Sequence, residues 1–168
     1  MLRTILLLRK LTTVALLTVV VASCTTKLAP EYDKAIVDSL TSNSSKLFEL
    51  FASTSQGTKK ADFSKREASY NQLIGAFEAL KIQSESRPIP SNTAMNKAND
   101  YLTKRGLPAI TSDIAPSSLA LGEVVRQLTA MRENDNRKDM SEDRVELYKN
   151  PIAISLDQAI TYESFLER

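Results

Sequence analysis

Several residue types that enzymes and metal sites depend on are scarce in this chain. Among its 168 residues there is no histidine, no tryptophan, one cysteine and only four glycines. The lack of histidine excludes Ser-His-Asp and Cys-His catalytic sets, two-His-one-carboxylate metal sites and the usual zinc sites. A single cysteine excludes an internal disulfide, and no glycine-rich run is present to cradle a phosphate. We therefore expect a protein that is not an enzyme and binds no metal or other cofactor.

Neither sign of charge dominates. The chain has 22 Lys plus Arg and 20 Asp plus Glu, and the two kinds are interspersed. Nucleic-acid binding needs a clustered basic face, so we exclude a nucleic-acid partner. The length fits one domain that is large enough to bury a proper core.

The first 23 residues have the layout of a signal peptide. Arg3, Arg9 and Lys10 are followed by 13 uncharged residues, Leu11 to Ser23, which end in small side chains just before Cys24. As a helix this run would rise about 20 Å, less than the roughly 30 Å of a bilayer core. A permanent membrane span would have to bury Arg9 and Lys10, so we expect cleavage instead.

The residues Val21-Ala22-Ser23-Cys24 resemble the lipobox of bacterial lipoproteins. The resemblance covers residues 1 to 24 and implies cleavage between Ser23 and Cys24. It also implies a diacylglyceryl thioether on Cys24, in most cases with a further acyl chain, such as palmitate, on the new amino terminus. Two acyl chains suffice for stable anchoring in a membrane. This covalent lipid is the only non-protein group that the resemblance implies.

The residue after the lipidated cysteine bears on localisation. Thr25 stands where Asp would favour inner-membrane retention, so the sequence resembles outer-membrane lipoproteins whose domain faces the periplasm from the inner leaflet. The expected organisation is a cleaved signal peptide (1–23), a lipidated tether (24–30) and one helical domain (31–168). The leader carries three basic residues and no acidic ones, so the mature chain has 19 basic and 20 acidic residues and a net charge of −1.

Two apolar stripes at helical spacing predict an antiparallel hairpin near the start of the domain. The first helix is expected from Pro30-Glu31, as its first turn, to a cap at Gly57. The second should end before Pro88. Their apolar positions are Tyr32, Ile36, Val37, Leu40, Leu47, Phe48, Leu50 and Phe51 in the first, and Phe63, Tyr70, Leu73, Ile74, Phe77 and Leu80 in the second.

Three further helices are predicted downstream. A short third helix follows a cap at Ser91 or Asn92 and is stopped by Gly106, with a loop over 107–118. A fourth begins around Pro116, and a fifth begins at Asn150-Pro151 and runs to near the end. Apolar positions are Ala94, Met95, Ala98 and Leu102 in the third, Leu121, Val124, Val125, Leu128 and Met131 in the fourth, and Ile152, Leu156, Ala159, Ile160 and Leu166 in the fifth.

The polar stretch 132–144 is compatible with a loop or with the solvated middle of one long helix that resumes at Val145. No segment alternates with period two, and all six prolines fall at or near predicted helix ends. This agreement between local signals predicts an all-α, antiparallel bundle of about four to five helices.

The fifth helix is apolar on two faces, because Ile154, Tyr162 and Phe165 form a second arc. We favour a central helix buried on both sides. The alternative is a groove for a partner or ligand built on these three residues.

Asp139, Ser141 and Asp143 imitate the start of a calcium loop, but Arg144 stands where glycine is needed and Asn150 where glutamate is needed. A solvated charged segment is favoured there, with a charged docking surface as the alternative.

The first two helices hold two other candidates. Asn43, Ser44 and Arg66 lie at or near the apolar arcs, where ordinary hydrogen bonding with the arginine head in water is favoured over a polar pocket between the helices. The cluster Lys59, Lys60, Lys65 and Arg66 lies about 40 Å from the lipid end if the first helix stands upright. A solvated turn is favoured there over a contact with an acidic partner.

Taken together, these features predict a lipid-anchored, non-catalytic accessory protein that contacts another envelope protein in the periplasm. One alternative is a bundle that binds a small ligand or lipid between the first, second and fifth helices. A weaker alternative is an immunity or exclusion lipoprotein.

Overall fold

The computed structural model describes residues 30–87, 100, 104 and 114–167. In these ranges the chain forms four α-helices, one 3-10 turn and no strand. The helices are α1 (Lys34–Thr54), α2 (Ser64–Glu85), α3 (Pro116–Arg137) and α4 (Glu142–Phe165), and the 3-10 turn is Lys60–Asp62. The predicted all-α fold is confirmed. The signal segment and the predicted helix over 94–102 lie outside the described residues.

The four helices pack as an antiparallel ring. α1 packs against α2 and α4, and α3 packs against the same two helices, whereas no Cα atoms of α1 and α3, or of α2 and α4, lie within 8 Å of each other. One apolar side chain or more from each turn faces the centre, because the stripes repeat at helical spacing. The core includes Leu40, Leu47, Phe51, Tyr70, Leu73, Phe77, Leu121, Val124, Leu128, Met131, Val145, Ile152 and Leu156.

α1 begins later than the sequence predicts. The Asp33 carboxylate accepts a hydrogen bond from the Ala35 amide at 2.9 Å and caps the helix, so Pro30 and Glu31 precede α1 instead of forming its first turn. Aspartate is among the best N-cap residues, which explains the start. At the other end Gly57 lies three residues beyond the last helical residue. It has φ +87°, and its amide N–H donates a hydrogen bond to the Thr54 carbonyl, which closes the turn after the helix.

The chain reverses inside the polar stretch 132–144, so neither prediction for it is correct. α3 continues to Arg137, and α4 begins at Glu142 after Ser141, whose hydroxyl accepts from the Arg144 amide. Pro151 therefore lies inside α4, not at its start. An interior proline costs about 3 kcal/mol, and burial of Val145 and other apolar side chains on the same helix offsets that cost.

The bundle has two distinct ends. The turn end holds the α1–α2 connection and the reversal between α3 and α4, where Thr58 and Met140 exchange backbone hydrogen bonds of 2.9 and 3.1 Å. The open end holds the residues that precede α1, the last turns of α2 and α4 and the first turn of α3.

Candidate interaction surfaces

α4 has one buried face, not the two that its sequence predicts. Ile154 and Phe165 are 61% and 66% exposed, and Tyr162 is half-buried. Burial on both sides is therefore wrong for this helix. Because no other described helix covers this arc, its apolar residues face outward. The buried positions of α4 are Val145, Ile152, Ser155, Leu156, Ala159 and Glu163.

The exposed apolar residues of α4 fall on one line. Leu147 is 68% exposed, and Ile154 and Phe165 follow it by seven and eighteen residues. Eighteen residues make five full helical turns and seven make almost two, so the three side chains project in nearly the same direction. We call Leu147, Ile154 and Phe165 the α4 stripe. Tyr162 lies at its flank, where burial raises the pKa of its phenol.

A polar cleft of about 540 Å³ lies between α1 and α2 near the turn end. Asn43 and Ser44 do not line it, since the Asn43 amide donates to the Ser39 carbonyl and Ser44 is buried. Leu50 and Leu73 supply its apolar part. The polar lining consists of Lys46, Glu49, Ser53, Lys65, Arg66, Ser69 and Gln72.

Aspartates pair with much of the basic cluster at the α1–α2 turn. Lys59 lies 3.0 Å from Asp139, whose other carboxylate oxygen accepts from the Lys60 amide. Lys65 lies 2.7 Å from Asp62. The pKa of Asp139 is lowered mainly by the hydrogen bond from the Lys60 amide and, to a smaller extent, by the bond from Lys59. The cluster is thus a set of ion pairs rather than a basic patch.

Arg66 does not hold its head in water. Its guanidinium donates to both carboxylate oxygens of Asp135, each at 2.8 Å, and Asp135 is fully buried. The Thr58 hydroxyl donates to the same carboxylate at 2.5 Å. The carboxylate raises the pKa of Arg66, so the guanidinium stays charged. The prediction that residues 132–144 are a solvated charged segment is therefore wrong for Asp135.

Tyr70 packs beside this buried pair. Its ring is fully buried and stacks on Phe63 with centroids 6.4 Å apart. Its hydroxyl has no hydrogen-bond partner among the described residues, although the Asp135 carboxylate is near enough to oppose its ionisation. Burial and the Asp135 charge raise the pKa of Tyr70 far above that of a free phenol.

The open end contains a second buried carboxylate. Glu163 is fully buried and accepts from both terminal nitrogens of Arg87 and from the Ser117 hydroxyl. Ser117 lies 2.6 Å from Ser84, so residues from α2, α3 and α4 meet here. These groups form a largely buried polar cluster that joins three helices.

Sequence reasoning missed both buried carboxylates, although a signal for them exists. Asp135 follows Val124, Leu128 and Met131 by eleven, seven and four residues, which places it on the buried stripe of α3. Glu163 follows Ile152, Leu156 and Ala159 by the same intervals on α4. A charged residue at a core position of a stripe predicts a buried partner of opposite charge.

The residues that imitate a calcium loop have other roles. Asp139 binds the α1–α2 turn and Ser141 caps α4. Within the described ranges no group of three metal-ligating side chains comes together.

None of the helices in the described part of the chain combines the length and apolar character that a membrane span requires. Cys24 and Ser23, the residues of the predicted lipidation and cleavage, lie outside the described residues. Comparison of the chain with protein-family models, with curated proteins and with solved structures finds no match.

Proposed function

We propose that this protein is a lipid-anchored bacterial envelope protein that works by non-covalent contact with another protein in the periplasm. Two features support the proposal. The pattern Val21-Ala22-Ser23-Cys24 supports anchoring of the mature chain through acyl chains on Cys24, and Thr25 in place of Asp supports the inner leaflet of the outer membrane. The α4 stripe supports a role in binding.

The α4 stripe is the observation that carries the interaction role. Phe165 lies eighteen residues after Leu147, about 27 Å farther along the helix. Each is more than 60% exposed. Exposed apolar residues in line on a helix are typical of helices that bind apolar grooves of partners, and Leu147 and Ile154 have the i, i+7 spacing of such anchors. The buried clusters around Asp135 and Glu163, in contrast, already satisfy their charges internally.

The test is an affinity purification of the tagged, lipidated protein from solubilised membranes, with proteins identified by mass spectrometry. The stripe variant is Leu147→Asp/Ile154→Asp, and the matched control is Phe48→Asp, which also places a carboxylate on an exposed apolar position (44%) but on α1. We expect one stoichiometric envelope protein with wild type and control, and its loss with the stripe variant. Equal recovery from all three proteins would refute binding through α4.

The polar cleft favours a second candidate function, the binding of a small anionic ligand. Lys46 and Lys65 face it from two helices, together with the carboxylate of Glu49, and Lys65 also pairs with Asp62. Hydroxyl and amide groups add hydrogen-bond donors. This cleft differs from the largely apolar cavity expected for a lipid binder. If this function holds, citrate or inorganic phosphate should raise the melting temperature of wild type but not of Lys46→Glu, whereas Lys34→Glu should behave as wild type.

The immunity or exclusion role rests on no feature of the described residues. The genes next to that of this protein would test it, since a toxin or conjugation gene beside it is what that role requires.

A further inference from the structure

The open end of the bundle carries most of the exposed apolar side chains. Seven large hydrophobic residues are exposed in the described ranges, and four of them, Ile82, Ile114, Leu119 and Phe165, lie within four residues of a helix end there. We call these four residues the apolar collar. Phe165 also ends the α4 stripe, so in this arrangement the partner contact proposed above rests on Leu147 and Ile154. The other three, on α1 and α4, lie farther from either end.

The turn end has the opposite surface. Its exposed side chains include the ion pairs Lys59–Asp139 and Lys65–Asp62, with Lys60 beside them. In the described part of the chain no exposed large hydrophobic residue lies within four residues of a helix end on this side. The bundle is therefore polarised along its axis.

The tether places the collar near the lipid. Five residues separate Cys24 from Pro30, the first described residue. A fully extended chain spans at most about 3.6 Å per residue, so Pro30 lies within about 20 Å of the lipidated cysteine. Pro30 belongs to the open end, because the Arg87 guanidinium there contacts the Glu31 carbonyl.

We propose that the apolar collar lies in the interface of the membrane that holds the lipid anchor, with the turn end pointing away from it. This inference rests on the proposed anchoring at Cys24. Amphipathic surfaces enter the headgroup and acyl boundary by about 5–10 Å, a depth that covers the last turn or two of each helix.

The arrangement of the collar favours a lipid surface over a protein groove. Its members come from α2, from α3 and the residues just before it, and from α4, and they share a level along the bundle axis rather than one side of it. A protein partner binds one contiguous face, whereas a bilayer needs only a common depth. Two cations at this level are paired within the protein, Arg87 with Glu163 and Lys81 with Glu85.

The test uses the full, lipidated protein in vesicles of phosphatidylethanolamine and phosphatidylglycerol. Cys24 is the only cysteine, and in the lipidated protein its sulfur is blocked as a thioether, so an introduced cysteine gives a single reactive thiol. Leu119→Cys probes the collar, and Leu147→Cys is the matched control, exposed to a similar degree but nearer the turn end. Each is labelled with an environment-sensitive nitrobenzoxadiazole dye, with and without phospholipids that carry a spin label near the headgroup.

We expect the Leu119→Cys label to emit at shorter wavelength than the control and to lose intensity to the spin-labelled lipid, while the control emits as in water. If the protein floats with the vesicles but the two labels do not differ, the collar does not contact the membrane, whereas the proposed anchoring at Cys24 is unaffected. Absence of flotation overturns the anchor, and the collar with it. A shorter wavelength without quenching, or one that grows with protein density, assigns the collar to a protein contact and also overturns the proposal.

Discussion

The two ends of the bundle have the same buried chemistry and opposite surfaces. At each end an arginine from α2 or just after it forms an ion pair with a fully buried carboxylate, Arg66 with Asp135 and Arg87 with Glu163. Outside these pairs the turn end presents ion pairs and the open end presents the apolar collar. The interior therefore aligns the helices at both ends, whereas the exterior distinguishes them.

The pairs also differ in what they connect. Arg66 and Asp135 join α2 and α3, which are neighbours in the ring. Arg87 lies two residues beyond α2 and reaches Glu163 on α4, a helix that α2 does not contact. At the open end, a side-chain ion pair therefore links the diagonally opposite helices α2 and α4. Buried ion pairs add little net stability relative to apolar residues, but they fix which ends of the helices come together.

The largest expected effect comes from removing the proposed anchor, on which the assignment of the open end to the membrane depends. Cys24→Ser should abolish incorporation of labelled palmitate and release the protein from the membrane fraction, since no other lipid-attachment cysteine is present. Thr25→Ser, next to it, should leave both readouts unchanged. Unaltered palmitate labelling and fractionation of Cys24→Ser would show that the lipobox interpretation is wrong.

The next effect compares the two buried pairs directly. Arg66→Ala leaves Asp135 buried without its cation, and Arg87→Ala does the same to Glu163. Each should lower the free energy of unfolding by about 3–5 kcal/mol, the usual cost of an uncompensated buried charge. Urea unfolding followed by circular dichroism measures both.

Exposed pairs provide the control for this comparison. Arg126→Ala removes an exposed pair with Glu123 and should cost less than about 1 kcal/mol. A loss of similar size in all three variants would mean that burial of the carboxylates does not matter. A loss at one end alone would show that only that end depends on its buried pair.

The sequence predicted the interior surfaces of the helices better than their ends. The stripes on α1, α2 and α3 are largely buried as expected, because 3.6-residue periodicity reflects burial of one face. Phe48 on α1 is the exception, since it is 44% exposed. The ends depend on contacts distant in sequence. The reversal after Arg137 is tied to Thr58 and to Asp135, residues whose proximity no local pattern encodes, and the Asn150-Pro151 start signal was overridden by burial of Val145.

The candidate site was predicted only in part. Ile154 and Phe165 were identified as an apolar arc on α4, but the arc alone does not reveal whether a fifth helix or solvent covers it. Helix number and packing order decide that question, and these follow from the tertiary structure. In the described bundle each helix has two neighbours, so the outer side of α4 remains exposed.

A smaller effect tests the turn end through its backbone. Gly57 has φ +87°, and a Cβ there would lie 2.5 Å from the Met140 carbonyl oxygen. Gly57→Ala should therefore destabilise the protein by about 1–3 kcal/mol or more, from strain and from the displaced turn. Thermal unfolding measures the change.

Gly75→Ala is the matched control for this prediction. Gly75 lies inside α2, where an added Cβ would have open space within 4 Å, so alanine should stabilise the helix by about 1 kcal/mol. Opposite signs for the two substitutions would support the close approach at the turn end. Stabilisation by both would show that the contact between Gly57 and Met140 is loose.

The smallest effect appears only at alkaline pH and again separates the two ends. Burial and Asp135 raise the pKa of Tyr70 above the 10.0 of a free phenol, and burial raises that of Tyr162 as well. Above pH 10 the unfolded chain ionises these phenols while the folded protein keeps them neutral. Stability is therefore fully present below pH 10 and falls as the pH rises, by at most about 1.4 kcal/mol per pH unit for each tyrosine.

Tyr70→Phe should remove the larger part of this alkaline loss, because Tyr70 is fully buried and Tyr162 only half-buried. At pH 7 the same substitution should be close to neutral, since the Tyr70 hydroxyl has no hydrogen-bond partner among the described residues. Urea midpoints of wild type, Tyr70→Phe and Tyr162→Phe between pH 7 and pH 11 test both points. If Tyr162→Phe removed more of the alkaline loss than Tyr70→Phe, the open end would be the more tightly closed of the two, contrary to the burial of the two side chains.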